Sequence, residues 1–348
     1  MFTSSNGNFD IQKSHINGNG SYVITAGLTN NGILGKTDIN AKTFDENTIT
    51  VDMFGTVFYR PFQYKMVTHA RVFSLKPNFK ISEKQGLFIS NSFHFLNKMY
   101  GYENMCSWEK IKSEKIKLPT KNGEIDYDFM SDFIAELEQV RVAELEAYLL
   151  ATGLNDYTLT DEEQRILDDF ENVEFREFDV VEIFDVQNTR NILSRDIVVD
   201  SGTTPYLCAS SENNAISSYI SYNKQYLEKG NCVFIGGKTF VVSYQEDEFY
   251  SNDSHNLALY LKFKKSTKLK QLYLVTCIYK SLKHKYSWGD SISKAKIKID
   301  KVSLPVKGNS PDFFVMDTFI SAIQKLVIKD VVLYADAKIE DTKKVVNT

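Results

Sequence analysis

The chain has 348 residues, 43% hydrophobic, 25% charged and 13% aromatic, a composition that excludes a disordered protein and fits two folded domains at roughly 150 residues each. A net charge of −4 argues against a free-standing nucleic-acid binder, which carries a basic excess. Cys106, Cys208, Cys232 and Cys277 are scattered and form no C-x-x-C pair, which excludes a zinc knuckle and a disulfide framework and fits a reducing compartment.

In chain order, the start MFTSSNGNFDIQKSH has no apolar signal core, and no run of about 18 apolar residues follows that could span a bilayer. A cytoplasmic protein without membrane contact is expected. Through residues 1–125, short runs such as SYVITAG (21–27), ITVDM (49–53) and TVFYR (56–60) alternate with Asn, Gly and Asp clusters, the signal of an irregular β-rich domain. In residues 126–172 the pattern changes to helical spacing: Met130, Phe133, Ile134, Leu137, Val140, Leu145 and Tyr148 make one apolar stripe. Gly153 is its stop, and Thr160 with Glu163 has the T-x-x-E form of a capping box. Residues 173–310 return to β-rich runs, among them KTFVVSY (238–244) and LALYLKF (257–263). Residues 311–348 are helical again, with the stripe Met316, Phe319, Ile320, Ile323, Leu326, Val331 and Tyr334. Charge is segregated. From Glu124 to Glu171 there are 15 acidic residues and two basic ones, a local charge of −13, so the remainder carries 39 basic against 30 acidic residues, or +9.

The order of parts repeats. LPTKNGEIDYDFMSDFI (118–134) returns as LPVKGNSPDFFVMDTFI (304–320), and the same offset of 186, without a gap, pairs Tyr100 with Tyr286, Ile111 with Ile297, Lys115 with Lys301, Asp126 with Asp312 and Tyr148 with Tyr334. Upstream, with small gaps, FDIQ (9–12) aligns with FDVQ (184–187) and TNNGI (29–33) with ENNAI (212–216); each half then runs on to a histidine, His69 or His255. Such periodicity defines a tandem of two units. The fold class is therefore α+β, two β-rich domains each followed by a long helix. The two stripes are expected to pack on each other as an antiparallel coiled-coil pair; the competing arrangement has each stripe covering its own β domain.

Catalytic motifs are missing where they are sought. GGKT (236–239) has Cys232 where a P-loop needs its first glycine and is followed by a strand-like run instead of a helix, so a turn at a strand end is the better reading. None of the six prolines has a proline neighbour, which removes the N/D-P-P-aromatic signature of an amino-methyltransferase. Pro311-Asp312 and the distant Asp341-Thr342-Lys343 do not converge as a nuclease site. His15, His69, His94, His255 and His284 show no metal spacing, and no serine stands in a G-x-S-x-G elbow. No catalytic residue, metal ligand or cofactor is assigned to this chain. Binding is the better fit. Arg60, Lys65, His69 and Arg71 bunch in the first domain, while Lys224, Lys238, Lys262, Lys264, Lys265, Lys268 and Lys270 lie among aromatics in the second. Such side chains hold phosphates or read base edges. Asn30-Asn31 and Asn213-Asn214 occupy equivalent loops, as candidate base readers or as turn formers. The expected DNA-contacting set is Asn30, Asn31, Arg60, Lys65, His69, Arg71, Asn213, Asn214, Lys238 and His255.

The doubled order, with YLCASSENNAISSYI (206–220), FYSNDSHNLAL (249–259) and KIKLPTKNGEIDYDFM (115–130), resembles the DNA specificity subunits of Type I restriction-modification systems. In its compact size and its ATGLNDYTLTDEE passage (151–163) the chain looks more like the shorter specificity chains of Type IIB and Type IIG systems. The resemblance implies that each β-rich domain is a target recognition domain reading half of a bipartite duplex site. It also implies that the helices form a rod that spaces the half-sites and docks two DNA methyltransferase subunits, joined in some systems by restriction subunits. S-adenosylmethionine and Mg would then belong to the partners. A protein-interaction scaffold without sequence-specific DNA binding is the alternative. One departure stands out: VEFREFDVVEI (173–183) leads into FDVQ, whereas FDIQ has only eight residues before it.

Overall fold

The computed structural model describes residues 1–263 and 266–346, with side chains described as far as Glu340. Lys264 and Lys265 lie outside the described residues, as do the side chains of Asp341, Thr342 and Lys343. The chain divides into two compact units, Met1–Ala147 with the residues from Lys338, and Tyr148–Ala337.

The first unit holds β1 (Phe2–Asn6), β2 (Ser21–Ile24), β3 (Ile33–Thr37), β4 (Thr48–Val51), β5 (Val57–Arg60), β6 (Tyr64–Met66) and β7 (Phe73–Pro77). One antiparallel sheet has the order β1-β7-β4-β5, and a smaller sheet has the order β3-β2-β6 with β6 parallel to β2. β4, TITV, is β-branched throughout and buried at every position, as expected of a strand covered on both faces. The helix α1 (Glu83–Asn91) begins at a Ser82–Gln85 capping box and closes on the sheet, where a Cβ at Gly86 would lie 2.2 Å from the Tyr59 ring. Ile49, Val51, Phe73, Leu75, Ile89 and Leu96 form the core between them. The short helix α2 (Trp108–Ile111) and a hairpin of β8 (Thr120–Lys121) and β9 (Glu124–Ile125) lead into α3 (Tyr127–Thr152). Gly153, at φ +68°, ends α3 as expected, with the Leu154 N–H donating to Leu149 O.

The second unit contains α4 (Asp161–Asp168), β10 (Phe175–Asp179), α5 (Val180–Ile183), β11 (Phe184–Asn188), β12 (Thr204–Leu207), β13 (Ile216–Ile220), β14 (Cys232–Gly236), β15 (Val241–Gln245), β16 (Tyr250–Ser251), β17 (Leu257–Leu261), α6 (Lys268–Leu282), α7 (Lys294–Ile297), β18 (Lys301–Lys307), β19 (Ser310–Pro311) and, as far as Ala337, α8 (Phe313–Val346). Its sheets repeat those of the first: β11-β17-β14-β15, and β13-β12-β16 with β12 parallel to β16. Register repeats too. Ile49 faces Leu75 as Val233 faces Leu259, and the same pairing irregularity falls at Val23/Ile24 and at Tyr206/Leu207.

That register corrects one expected correspondence. FDVQ forms β11, whose Phe184 pairs with Leu261, and its counterpart in the first unit is not FDIQ but β1, whose Phe2 pairs with Pro77. FDIQ lies beyond the strand, where Ile11 is drawn into the core of the smaller sheet. Strand identity follows from main-chain pairing with β7, which a similarity of four letters does not report. The lead-in to FDVQ is β10, paired antiparallel with β18. Among the described residues the first unit has no counterpart of β10, and the stretch matching most of β18 is not strand.

The helical stripes are only partly covered. Met130 and Met316 are buried in the cores of their own units, but Phe133, Leu137, Val140 and Tyr148 on α3, and Leu326, Val331 and Tyr334 on α8, are exposed.

Candidate nucleic-acid interface

In the second unit GGKT is a turn, as expected, joining β14 to β15. Gly237 has no alternative: a Cβ there would lie 2.3 Å from the carbonyl oxygen of His255. The contact is fixed by Asn256, which is buried. Its Oδ1 accepts from the Gly237 N–H at 3.0 Å, and its Nδ2 donates to Ser251 Oγ at 3.0 Å and Asn252 Oδ1 at 3.1 Å. The hairpin tip and the turn 253–256 are thereby joined, and Lys238 and His255 meet on one carboxylate. Lys238 Nζ lies 3.1 Å from Asp253 Oδ2, while His255 presents both Nδ1, at 2.8 Å, and its amide, at 2.9 Å, to Oδ1. Burial pushes the Asp253 carboxyl up, but the His255 amide and ring and the Lys238 ammonium outweigh it and hold the group ionised below its usual range. Both basic side chains remain largely exposed.

The first unit engages its histidine on a different acid, in the loop after β1. Asp10 Oδ1 receives the Thr68 hydroxyl at 3.0 Å, the His69 amide at 3.1 Å and His69 Nδ1 at 2.6 Å. The hydrogen bond from the His69 ring is the leading cause that lowers the Asp10 carboxyl to about 2. Arg71, two residues on, is in the left-handed region at φ +50° and donates to Met105 Sδ at 3.0 Å. It lines an open cleft of about 840 Å³ with Ser4, Tyr102, Trp108 and Lys110. Lys238 and His255 thus share one carboxylate, whereas His69 and Arg71, both exposed and two residues apart, hold different partners.

Arg60 and Lys65 do not join them. Arg60 is 2% exposed, its Nε donates to Thr50 Oγ1 at 2.9 Å, its guanidinium lies 4.9 Å from the Phe58 ring, and burial lowers its pKa to about 10. Lys65 is 7% exposed, with Nζ on the carbonyls of Thr37 and Ile39. A cation held inside the protein offers nothing to a phosphate, so both are parts of the fold. The structural counterpart of Arg60 at the end of β15 is Gln245, also buried, whose Nε2 donates to the carbonyl of Asn214.

The asparagines form turns first. Asn30, Asn31, Asn213 and Asn214 all have φ between +46° and +52°, a region asparagine tolerates better than most residues. Asn30 Nδ2 donates to Ile33 O and Asn213 Nδ2 to Ile216 O, the same bond in each unit, while Asn214 Nδ2 reaches Tyr244 O. All four are exposed, but the three amides named are already engaged. The lysine cluster of the second unit also disperses: Lys262 is bonded to Val181 O, Lys268 to Glu246 and Lys270 to Asp317, while Lys224 is exposed. The sequence reading missed Asp10 and Asp253. The D-x-H spacing of Asp253 and His255 carried a signal; Asp10, 59 residues from His69, carried none. Among the described residues no group of three or more His, Cys, Asp or Glu could hold a metal ion, and no helix is long and apolar enough to cross a membrane.

Two β-rich units repeat one topology and register, each with exposed basic side chains at its turns. Residues 1–147 and 172–333 each match the Type I restriction modification DNA specificity domain, and the chain belongs to that family. It is a specificity subunit, concerned with DNA sequence recognition and not with catalysis. The chain is 23% identical over 325 residues to the specificity subunit S.BcgI of the Type II restriction enzyme BgcI from Heyndrickxia coagulans, covering 92% of this chain and 90% of that one. Its fold is similar to that of the S subunit of a Type I restriction-modification system from M. genitalium, with a TM-score of 0.59 at 13% identity over 99% of this chain and 91% of that chain.

Proposed function

We propose that the chain directs a DNA methyltransferase to a bipartite duplex site, residues 1–125 reading one half and residues 173–310 the other. The observation that carries this is the repetition of one sheet topology and register with unlike residues at the tips: Asp52-Met53-Phe54-Gly55 turns β4 into β5 where Gly236-Gly237-Lys238-Thr239 turns β14 into β15. A common frame with different tips suits two different half-sites. His69 and Arg71 in one unit and Lys238 and His255 in the other are the contacts the surface favours, through phosphates or base edges. The helical passages 126–172 and 311–348 serve as a spacer, α3 and α8 pairing antiparallel along their apolar stripes, and the parts of the stripes left exposed dock two methyltransferase subunits. S-adenosylmethionine and Mg are held by those partners.

Co-expression tests the reading. The assembled complex should methylate duplexes carrying one split sequence and no others, while the methyltransferase without this chain should show no such preference. Equal methylation of all duplexes by the complex would refute it.

A further inference from the structure

Two turns outside the sheets repeat in detail at the offset of 186. Gly101 and Asn104 exchange main-chain hydrogen bonds at 3.1 and 3.2 Å, and Ser287 and Asp290 do the same at 3.2 and 3.1 Å. At the tip of each stands one exposed aromatic ring: Tyr102 is 77% exposed, its ring edge-on to that of Phe54 at 4.9 Å, and Trp288 is 76% exposed. Each turn is braced by an equivalent lysine. Lys110 Nζ donates to Asn104 Oδ1 and Met105 O, both at 2.7 Å, while Lys296 Nζ donates to Asp290 Oδ1 and, at 2.7 Å, to Ser291 O. Both ammonium groups also sit 5.8 Å from the ring of the preceding tyrosine, Tyr100 or Tyr286. Each turn is then tied to the tip of its own hairpin, by Cys106 N–H to Met53 O at 2.8 Å and by Ile292 N–H to Gly237 O at 3.1 Å.

A large ring held in solvent on a fixed base is a preorganised contact, and tryptophan and tyrosine are the residues most enriched where protein partners bind tightly. The kind of partner follows from what repeats. The ring and its brace are kept; of the neighbouring charges Lys112 and Lys298 match, the former paired with Glu109, but Glu103 and Glu109 stand where the second unit has Gly289 and Ala295, and Met99 where it has Lys285. A phosphate backbone met by both units would demand cations in both, and the lysine common to the two turns is already bound within its own turn. The turns also share the ungapped offset of the L-P passages and the long helices, whereas β4 and β7 correspond to β14 and β17 at an offset of 184. They belong to the part of the chain that is alike in both halves.

We propose that Tyr102 and Trp288 are matching docking posts, each entering the same apolar pocket on one copy of a methyltransferase subunit; the inference rests on the specificity-subunit reading above. The test is the stoichiometry and affinity of the complex, by native mass spectrometry and titration of this chain with the co-expressed methyltransferase. Wild type should bind two copies. Tyr102→Ala and Trp288→Ala should each weaken one site by about tenfold or more, leaving one copy bound. The double variant should lose both, Tyr102→Phe and Trp288→Phe should retain them, and thermal melting of the free chain should not change. Two copies retained by the double variant, or lost DNA affinity with intact partner binding, would overturn the proposal alone. A wild-type chain that captures no methyltransferase would overturn both the proposal and the reading beneath it.

Discussion

Glu163 and Lys325, 162 residues apart in the chain, form an ion pair at 2.9 Å inside the second unit. Glu163 is 5% exposed, and it also accepts from Ser321 Oγ at 2.6 Å and from its own N-cap amide, Thr160 N–H, at 2.8 Å. Beside it the ring of Phe170 stacks on that of Phe319 at 3.9 Å. The glutamate that completes the capping box of α4 therefore also clasps α4 to α8. Part of the acidic connector is structural and not a solvated face.

Burial pushes the Glu163 carboxyl up, but Ser321, the Thr160 amide and Lys325 outweigh it and lower it to about 2. A depressed carboxylate stabilises the fold above its unfolded value, near 4.5, and loses that contribution as pH falls from there towards 2. Glu163→Gln should keep the cap but remove the charge, lowering stability by about 1–3 kcal/mol at neutral pH in urea unfolding. The difference from wild type should shrink below pH 4.5. A constant difference down to pH 2 would contradict the clasp.

Arg60→Ala is expected to act on the fold. Deleting a buried guanidinium leaves a cavity and removes the donor to Thr50 Oγ1, at a cost of about 2–4 kcal/mol. DNA affinity, scaled to the fraction still folded, should not change. A loss of affinity in fully folded protein would return Arg60 to the interface.

These two residues mark how far the sequence could be read. The capping box, the Gly153 stop and the ungapped repeat were legible because they are local chemistry or simple periodicity. Arg60 was not, because residue type does not say which end of a strand lies beneath a loop. The assignment of FDIQ failed for a related reason: β1 is defined by its pairing with β7, and Phe2 and Asn6 match Phe184 and Asn188 only once both strands are aligned on their partners. Tyr102 and Trp288 escaped a search for identical letters although the offset of 186 joins them.

Lys238→Ala should weaken DNA binding about equally for every sequence and make the dependence of log affinity on log salt shallower by about one, the signature of a lost phosphate contact. Titrations at several salt concentrations measure this. An unaltered slope and affinity would remove Lys238 from the contact surface.

Inserting four residues into the exposed middle of α3 adds roughly 6 Å at 1.5 Å per residue. If α3 spaces the half-sites, the preferred gap should widen by about two base pairs, read from binding to duplexes of graded gap length. A gap that stays the same would argue against the spacer role.

The central claim is that two recognition domains read two separate half-sites. Selection from a randomised duplex pool by this chain with its methyltransferase tests it most directly. The account predicts enrichment of two short constant blocks of different sequence at one fixed separation. Enrichment of a single block, or of none, would contradict it.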